Sequence, residues 1–138
     1  YNYWKKCTDL ISKMPPNIKV SYLKEIHADL VSETFSKYHL FALPTLGENF
    51  GHVIIESLFA GTPVVLSDKT PWESSNDLSL RIIPLKARNI WTEYIDSFLC
   101  NFKNNSTRKD AIIFGKKLIS KQKIYEKNVT LFDFVCLK

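Results

Sequence analysis

Glu48 and Glu56 stand eight residues apart, and Gly47 and Gly51 flank the first of them. The stretch from Leu43-Pro44 to Glu56 reads as the end of an apolar strand, a Gly-containing loop and the start of an apolar helix. Pro44 cannot continue a central ladder, so the strand must end there. Gly61 and Pro63 then close the helix. At such a helix start the amides of Gly51, His52 and Val53 are expected to point outward. With the helix dipole they favour a phosphate or another anion. A carboxylate accepts hydrogen bonds from vicinal hydroxyls, so sugars and ribose suit the two glutamates. Eight helical steps separate residues by about 80° and about 12 Å along the axis. That spacing does not suit a close acid/base pair. It suits contacts along an extended ligand. The plain reading is equally open at this point: Glu56 as a solvent-facing helix position, Glu48 as an acid favoured by the helix dipole by ~0.3–1 kcal/mol.

The elements that must position this loop alternate. Tyr3, Cys7, Leu10, Ile11 and Met14 recur at helical spacing until Pro15-Pro16. Ile18 to Leu23 reads as a strand, Asp29 to Lys37 as a helix, and His39 to Leu43 as a strand apolar enough to be covered on both faces. A helix from His52 to Ala60 leads to a buried strand, Pro63 to Leu66, ending at Ser67-Asp68. Thr70 to Asp77 reads as irregular, Arg81 to Pro84 as a short strand, and Ile90 to Phe102 as an amphipathic helix whose stripe includes Trp91. Ser106-Thr107 is expected to cap a last helix carrying Ile112, Ile113, Leu118, Ile119 and Ile124. The only candidate hinge is Asn101 to Thr107. The order implies one α/β domain over residues 1–138, a Rossmann-like parallel sheet with helices on both faces. Ligands in such open sheets bind where strand C-termini meet helix N-termini, which is where the two glutamates fall.

Composition sets outer bounds. The 138 residues are 45% hydrophobic and 24% charged, ordinary for a globular domain, and no run approaches a membrane span. Cys7, Cys100 and Cys136 are far apart and show no metal-ligand spacing, which fits a reducing cytoplasm; Cys100 is expected to pack. The net charge of +5 gathers late, in Arg108, Lys109, Lys116, Lys117, Lys121, Lys123 and Lys127. The bland reading is a solvated helix face. The sharper one is peripheral contact with an anionic membrane surface. Nucleic acid is disfavoured, because the aromatics fall at apolar helix positions and do not interleave with the basic residues.

The residues from Pro44-Thr45 to Ser67-Asp68 resemble the signature of retaining glycosyltransferases of family 4 (group 1), enzymes of the two-domain GT-B architecture. The matching positions are Glu48-Asn49-Phe50-Gly51, Glu56-Ser57 and Ala60-Gly61-Thr62-Pro63-Val64-Val65. Thr70-Pro71-Trp72 looks like a feature of bacterial members. The resemblance implies the C-terminal, nucleotide-sugar-binding half of an enzyme that moves a sugar to an acceptor hydroxyl with retention, in bacterial polysaccharide or glycolipid synthesis. Glu48 would be the catalytic-site carboxylate on the donor sugar, and Glu56 would hold the ribose hydroxyls. Amides around Phe50, Gly51, His52 and Val53 would face sugar and diphosphate, and Leu23 to Ile26 would border the base. No metal or other cofactor is implied. Two departures stand out. The Arg and Lys that family members use on the diphosphate, and the N-terminal acceptor domain, would lie upstream of Tyr1, so the isolated chain is expected to be inactive. Lys24 also occupies a position where the family commonly has Gly. A sugar-nucleotide epimerase-like domain and a non-catalytic nucleotide-binding module are the alternatives.

Overall fold

In the computed structural model, which describes residues 2–122, three parallel strands lie side by side in chain order. They are β1 (Phe41–Leu43), β2 (Val64–Ser67) and β3 (Leu80–Ile83). Phe41, Val64 and Leu80 are in register, as are Leu43, Leu66 and Ile82. Side chains alternate across a strand, so these six share one face. Val65, Arg81 and Ile83 belong to the other.

Five helices accompany them among the described residues: α1 (Asn2–Ile11), α2 (Ala28–Ser36), α3 (His52–Phe59), α4 (Arg88–Asn101) and α5 (Asn104–Gln122). The first face packs against α3 and α5. Ile54, Ile55 and Leu58 of α3 meet Val64, Leu66 and Leu80 of the sheet and Ala111 of α5 in one buried cluster. Fully burying such a side chain is worth about 1.5–3 kcal/mol. Gly115 lets the two helices close up, since a Cβ there would stand 3.0 Å from Leu58 and 3.1 Å from Phe59. Phe98 of α4 is buried with Val65 and Ile83, outside that cluster. Burial raises the Tyr94 phenol of α4 above its ordinary pKa and nearby Arg81 of this face opposes that rise, which places α4 beside the second face. The chain is thus α/β with helices on both faces. All four residues of β2 are buried, as its unbroken apolar run requires.

Most expected elements fall within two residues of their positions. The strand expected at Ile18–Leu23 does not form. After Ile18, which donates to Pro15, the segment makes no ladder bond among the described residues, and a strand exists only by pairing. Its apolar side chains stay exposed, with Tyr22 resting its ring 4.8 Å from Trp4 of α1. The expected cap at Ser106-Thr107 also shifts. α5 begins at Asn104, and the Thr107 hydroxyl reaches back from the first turn to accept the Lys103 N–H at 3.1 Å.

The expected hinge there is a two-residue link, anchored because Phe102 packs its ring against Phe98 and His39. Arg108, read from sequence as part of a solvated basic face, is a tie. It donates to the carbonyls of Tyr38 at 3.0 Å and Gly61 at 3.4 Å and lies over Phe102. Lys109, Lys116 and Lys117 are exposed. Ile124, Lys123, Lys127 and Cys136 lie outside the described residues, as does the side chain of Lys121. Trp91 is half-buried, with its indole N–H given to Pro84 O, and Cys100 is an exposed free thiol.

Candidate active site

β1 ends at Leu43, and the chain must cross the top of β2 before α3 can begin. Three bonds fix that crossing. Ser67, fully buried at the end of β2, donates its hydroxyl to Thr45 O at 2.6 Å. Glu48 N–H donates to Lys69 O at 3.3 Å. The indole of Trp72 donates to Phe50 O at 2.9 Å. Within the loop the Thr45 hydroxyl donates to Gly47 O and accepts the Gly47 N–H.

Gly51 is the N-cap of α3 and sits at φ +66°, a left-handed conformation. No side chain caps the helix. The boundary turn is made by the glycine backbone. A Cβ on Gly51 would stand 2.7 Å from Ile54 Cδ1 and 2.9 Å from Glu48 Cγ. The stem of Glu48 therefore lies folded against the helix start, and its Oε1 accepts the Asn49 N–H at 3.0 Å. The first amide of the turn with an acceptor is that of Ile54, which donates to Gly51 O at 2.8 Å. Among the described residues no acceptor takes the N–H of Gly51, His52 or Val53. The first N–H groups of a helix have no partner within it; of these three residues Gly51 is buried and Val53 half-buried. His52 is exposed, with its ring 5.0 Å from that of Phe50.

Glu56 is exposed one turn further along α3. It stands on the rim of a hollow of about 330 Å³ whose walls include Ile26, Val31, Phe35, Phe41 and Val53. A second hollow of about 230 Å³, bordered by Ala28, Ser32 and Phe59, lies on its other side. The larger volume falls in the range of about 300–1,000 Å³ of small-molecule pockets. Glu48 and Glu56 make no pair. One lies in the loop before the helix start and the other on the helix, with the free amides between them. Lys24, where the resemblance expects Gly, is the one non-glycine residue at positive φ, +57°, among those described. The glycine-type backbone is kept although the residue has changed.

Sequence reasoning missed the part played by Ser67 and the bond by which Trp72 holds the loop. Trp72 is a packed anchor, 7% exposed, with its indole N–H on Phe50 O. Among the described residues no group of three or more His, Cys, Asp or Glu side chains could hold a metal ion. Among the described residues no helix is long and apolar enough to cross a membrane.

This geometry, a strand end, a glycine turn and open amides between two carboxylates, coincides with a family match. The model described as "Glycosyl transferases group 1" matches residues 2–75, more than half of the chain. The chain belongs to the group 1 glycosyl transferases. No curated protein matches it significantly. As a group 1 glycosyl transferase domain it keeps the loop, the helix start and β2 inside the matched span. β3, α4 and α5, which back the sheet, lie beyond it.

Proposed function

We propose that this domain binds the nucleotide-sugar donor of a retaining glycosyltransferase, and that the donor runs from the apolar hollow along the start of α3 to Glu48. The observation that carries the reading is the position of Glu56. It puts a carboxylate on the rim of an apolar hollow, three residues after Val53 on the same helix. Three helical steps are about 4.5 Å along the axis. A base fits the apolar hollow, and ribose hydroxyls fit the carboxylate at its rim. The diphosphate fits the free amides of His52 and Val53, and the sugar meets Glu48 beyond them. Ile26, from the segment that the family resemblance assigns to the base, lines the same hollow as Glu56.

In the reaction the sugar's anomeric bond to the diphosphate breaks, and a bond to the acceptor oxygen forms on the same face. Fixed amides stabilise the leaving oxygen without reorganising, the general advantage of a preorganised site. Glu48 holds the sugar by hydrogen bonds from its hydroxyls. The acceptor and the basic partners of the diphosphate come from outside residues 1–138, and turnover by this chain alone is not expected. The free thiols of Cys7 and Cys100 agree with a reducing cytoplasm.

Calorimetric titration of nucleoside diphosphates and nucleotide-sugars tests the assignments. Glu56→Ala should weaken every nucleotide by about 1–3 kcal/mol, the scale of a lost charged hydrogen bond. Glu48→Ala should weaken only sugar-bearing ligands. Unchanged binding by both variants would leave the two glutamates with no ligand role.

A further inference from the structure

We propose that Trp72 is the positioning residue of the donor cradle: its indole N–H sets the direction in which the Gly51 amide points. The inference rests on the donor-site reading above. The Phe50 carbonyl and the Gly51 N–H belong to one peptide unit, which is trans, as are all those described. A trans peptide is planar, and its C=O and N–H point in opposite directions. Trp72, 7% exposed, draws the Phe50 oxygen toward itself at 2.9 Å. The Gly51 N–H must then point away from the buried indole, and no acceptor takes it among the described residues, although Gly51 is itself buried. The left-handed φ of Gly51 follows in the same turn.

The anchor itself is held. Trp72 lies in the connection from β2 to β3, and that connection is tied down two residues later. The Ser74 and Ser75 hydroxyls accept the amides of Ile82 and Leu80, each at 3.0 Å. Lys69, which accepts the Glu48 N–H, begins the same connection. One rigid segment thus grips the donor loop at Glu48 and at Phe50. A purely space-filling Trp72 would need the indole ring and not its N–H, and that distinction can be measured.

The test uses the whole 138-residue chain and titrates uridine, guanosine and adenosine diphosphates. Trp72→Phe keeps an aromatic ring and removes the N–H. It should weaken the best-bound diphosphate at least tenfold. The ¹⁵N order parameter of the Gly51 amide should fall from the rigid range, about 0.85, to below about 0.6. Trp91→Phe, which removes the equivalent bond to Pro84 O, should change neither. Wild-type affinity and an unchanged Gly51 order parameter in Trp72→Phe would overturn the proposal and leave the donor site standing. Absence of diphosphate binding by the wild type would overturn the donor reading, and the order parameter would still decide whether Trp72 orients the amide. If Trp72→Phe does not fold, the wild-type indole resonances decide. Diphosphate must shift that of Trp72 more than that of Trp91, and equal or no shift defeats the proposal.

Discussion

Among the described residues none before Gly51 is buried, whereas every buried one lies between Gly51 and Gly115. The two regions do not differ in apolar material. Tyr3, Leu10, Ile18, Val20, Tyr22 and Leu30 precede the divide and are all exposed. They differ in what each element packs against. α3 has the sheet on one side and α5 on another, while α1 buries no residue at all. The sheet edges repeat the contrast. At β3 the hydroxyls of Ser74 and Ser75 take the outer amides of Ile82 and Leu80. β1 pairs with β2 on one side only among the described residues. The candidate site straddles the divide. Its amides and Glu56 ride on the packed helix α3, and Ile26 and Val31 on the opposite wall of the hollow come from the open region. A site so built draws one wall from the packed region and one from the open region.

The contrast can be broken most directly by truncating one leucine on each side. Leu58→Ala removes a fully buried side chain from beneath Gly115 and should cost ~2–5 kcal/mol. Leu10→Ala, on a helix where Leu10 is 64% exposed, should cost less than about 0.5 kcal/mol. Urea unfolding of both variants reads the difference, and equal losses would erase the divide.

Gly51→Ala probes the divide itself. A left-handed alanine costs about 1–2 kcal/mol, and its Cβ would press on Ile54 Cδ1 and Glu48 Cγ. Stability should fall by at least that strain. Nucleotide-sugar affinity should fall further than nucleoside diphosphate affinity, because Glu48 is the group displaced. A variant with normal melting and normal binding would mean that the loop does not need the turn.

Lys24→Gly tests strain inside the open region. The left-handed lysine at φ +57° carries the same about 1–2 kcal/mol, and the entropy of a glycine takes back about 0.5–1 kcal/mol. The net expectation is a gain of up to about 1.5 kcal/mol, seen as a higher melting temperature. No gain would show that this strain is relieved by local motion rather than carried by the fold.

What could be read from the sequence follows the same line. The helix at His52–Phe59 and the strand at Val64–Ser67 were legible because apolar segments on either side of Gly61 and Pro63 need only their near neighbours to be placed. The positions of Glu48, Gly51 and Glu56 were legible because they depend on one loop and one helix. Ile18–Leu23 was misread because its alternation describes a strand, and alternation cannot supply the partner that makes one. Arg108 looked like one more surface charge, since nothing local reveals that Tyr38 O and Gly61 O converge on it. The grip of Trp72 on Phe50 spans 22 residues and leaves no periodic mark.

The smallest expected effect sharpens the comparison at the sealed edge of the sheet. Asp77 lies in the turn before β3. Partial burial pushes its carboxyl up, but hydrogen bonds from the Ser79 N–H and the Ser75 hydroxyl outweigh that and hold it below the ordinary aspartate value. A carboxylate whose folded value is depressed contributes stability that is present above its unfolded value, about 3.9. That contribution is lost as pH falls through the folded value. Asp77→Asn keeps an oxygen acceptor and removes the charge. It should lower the melting temperature slightly at pH 7, and the gap from the wild type should close as pH falls below about 4. Asp29, in the open region, ends in an exposed contact with His27 at 3.2 Å. Asp29→Asn should show little change at either pH, since exposed pairs contribute about 0–1 kcal/mol. A pH-independent gap for Asp77→Asn would assign its role to the shape of the turn rather than to its charge.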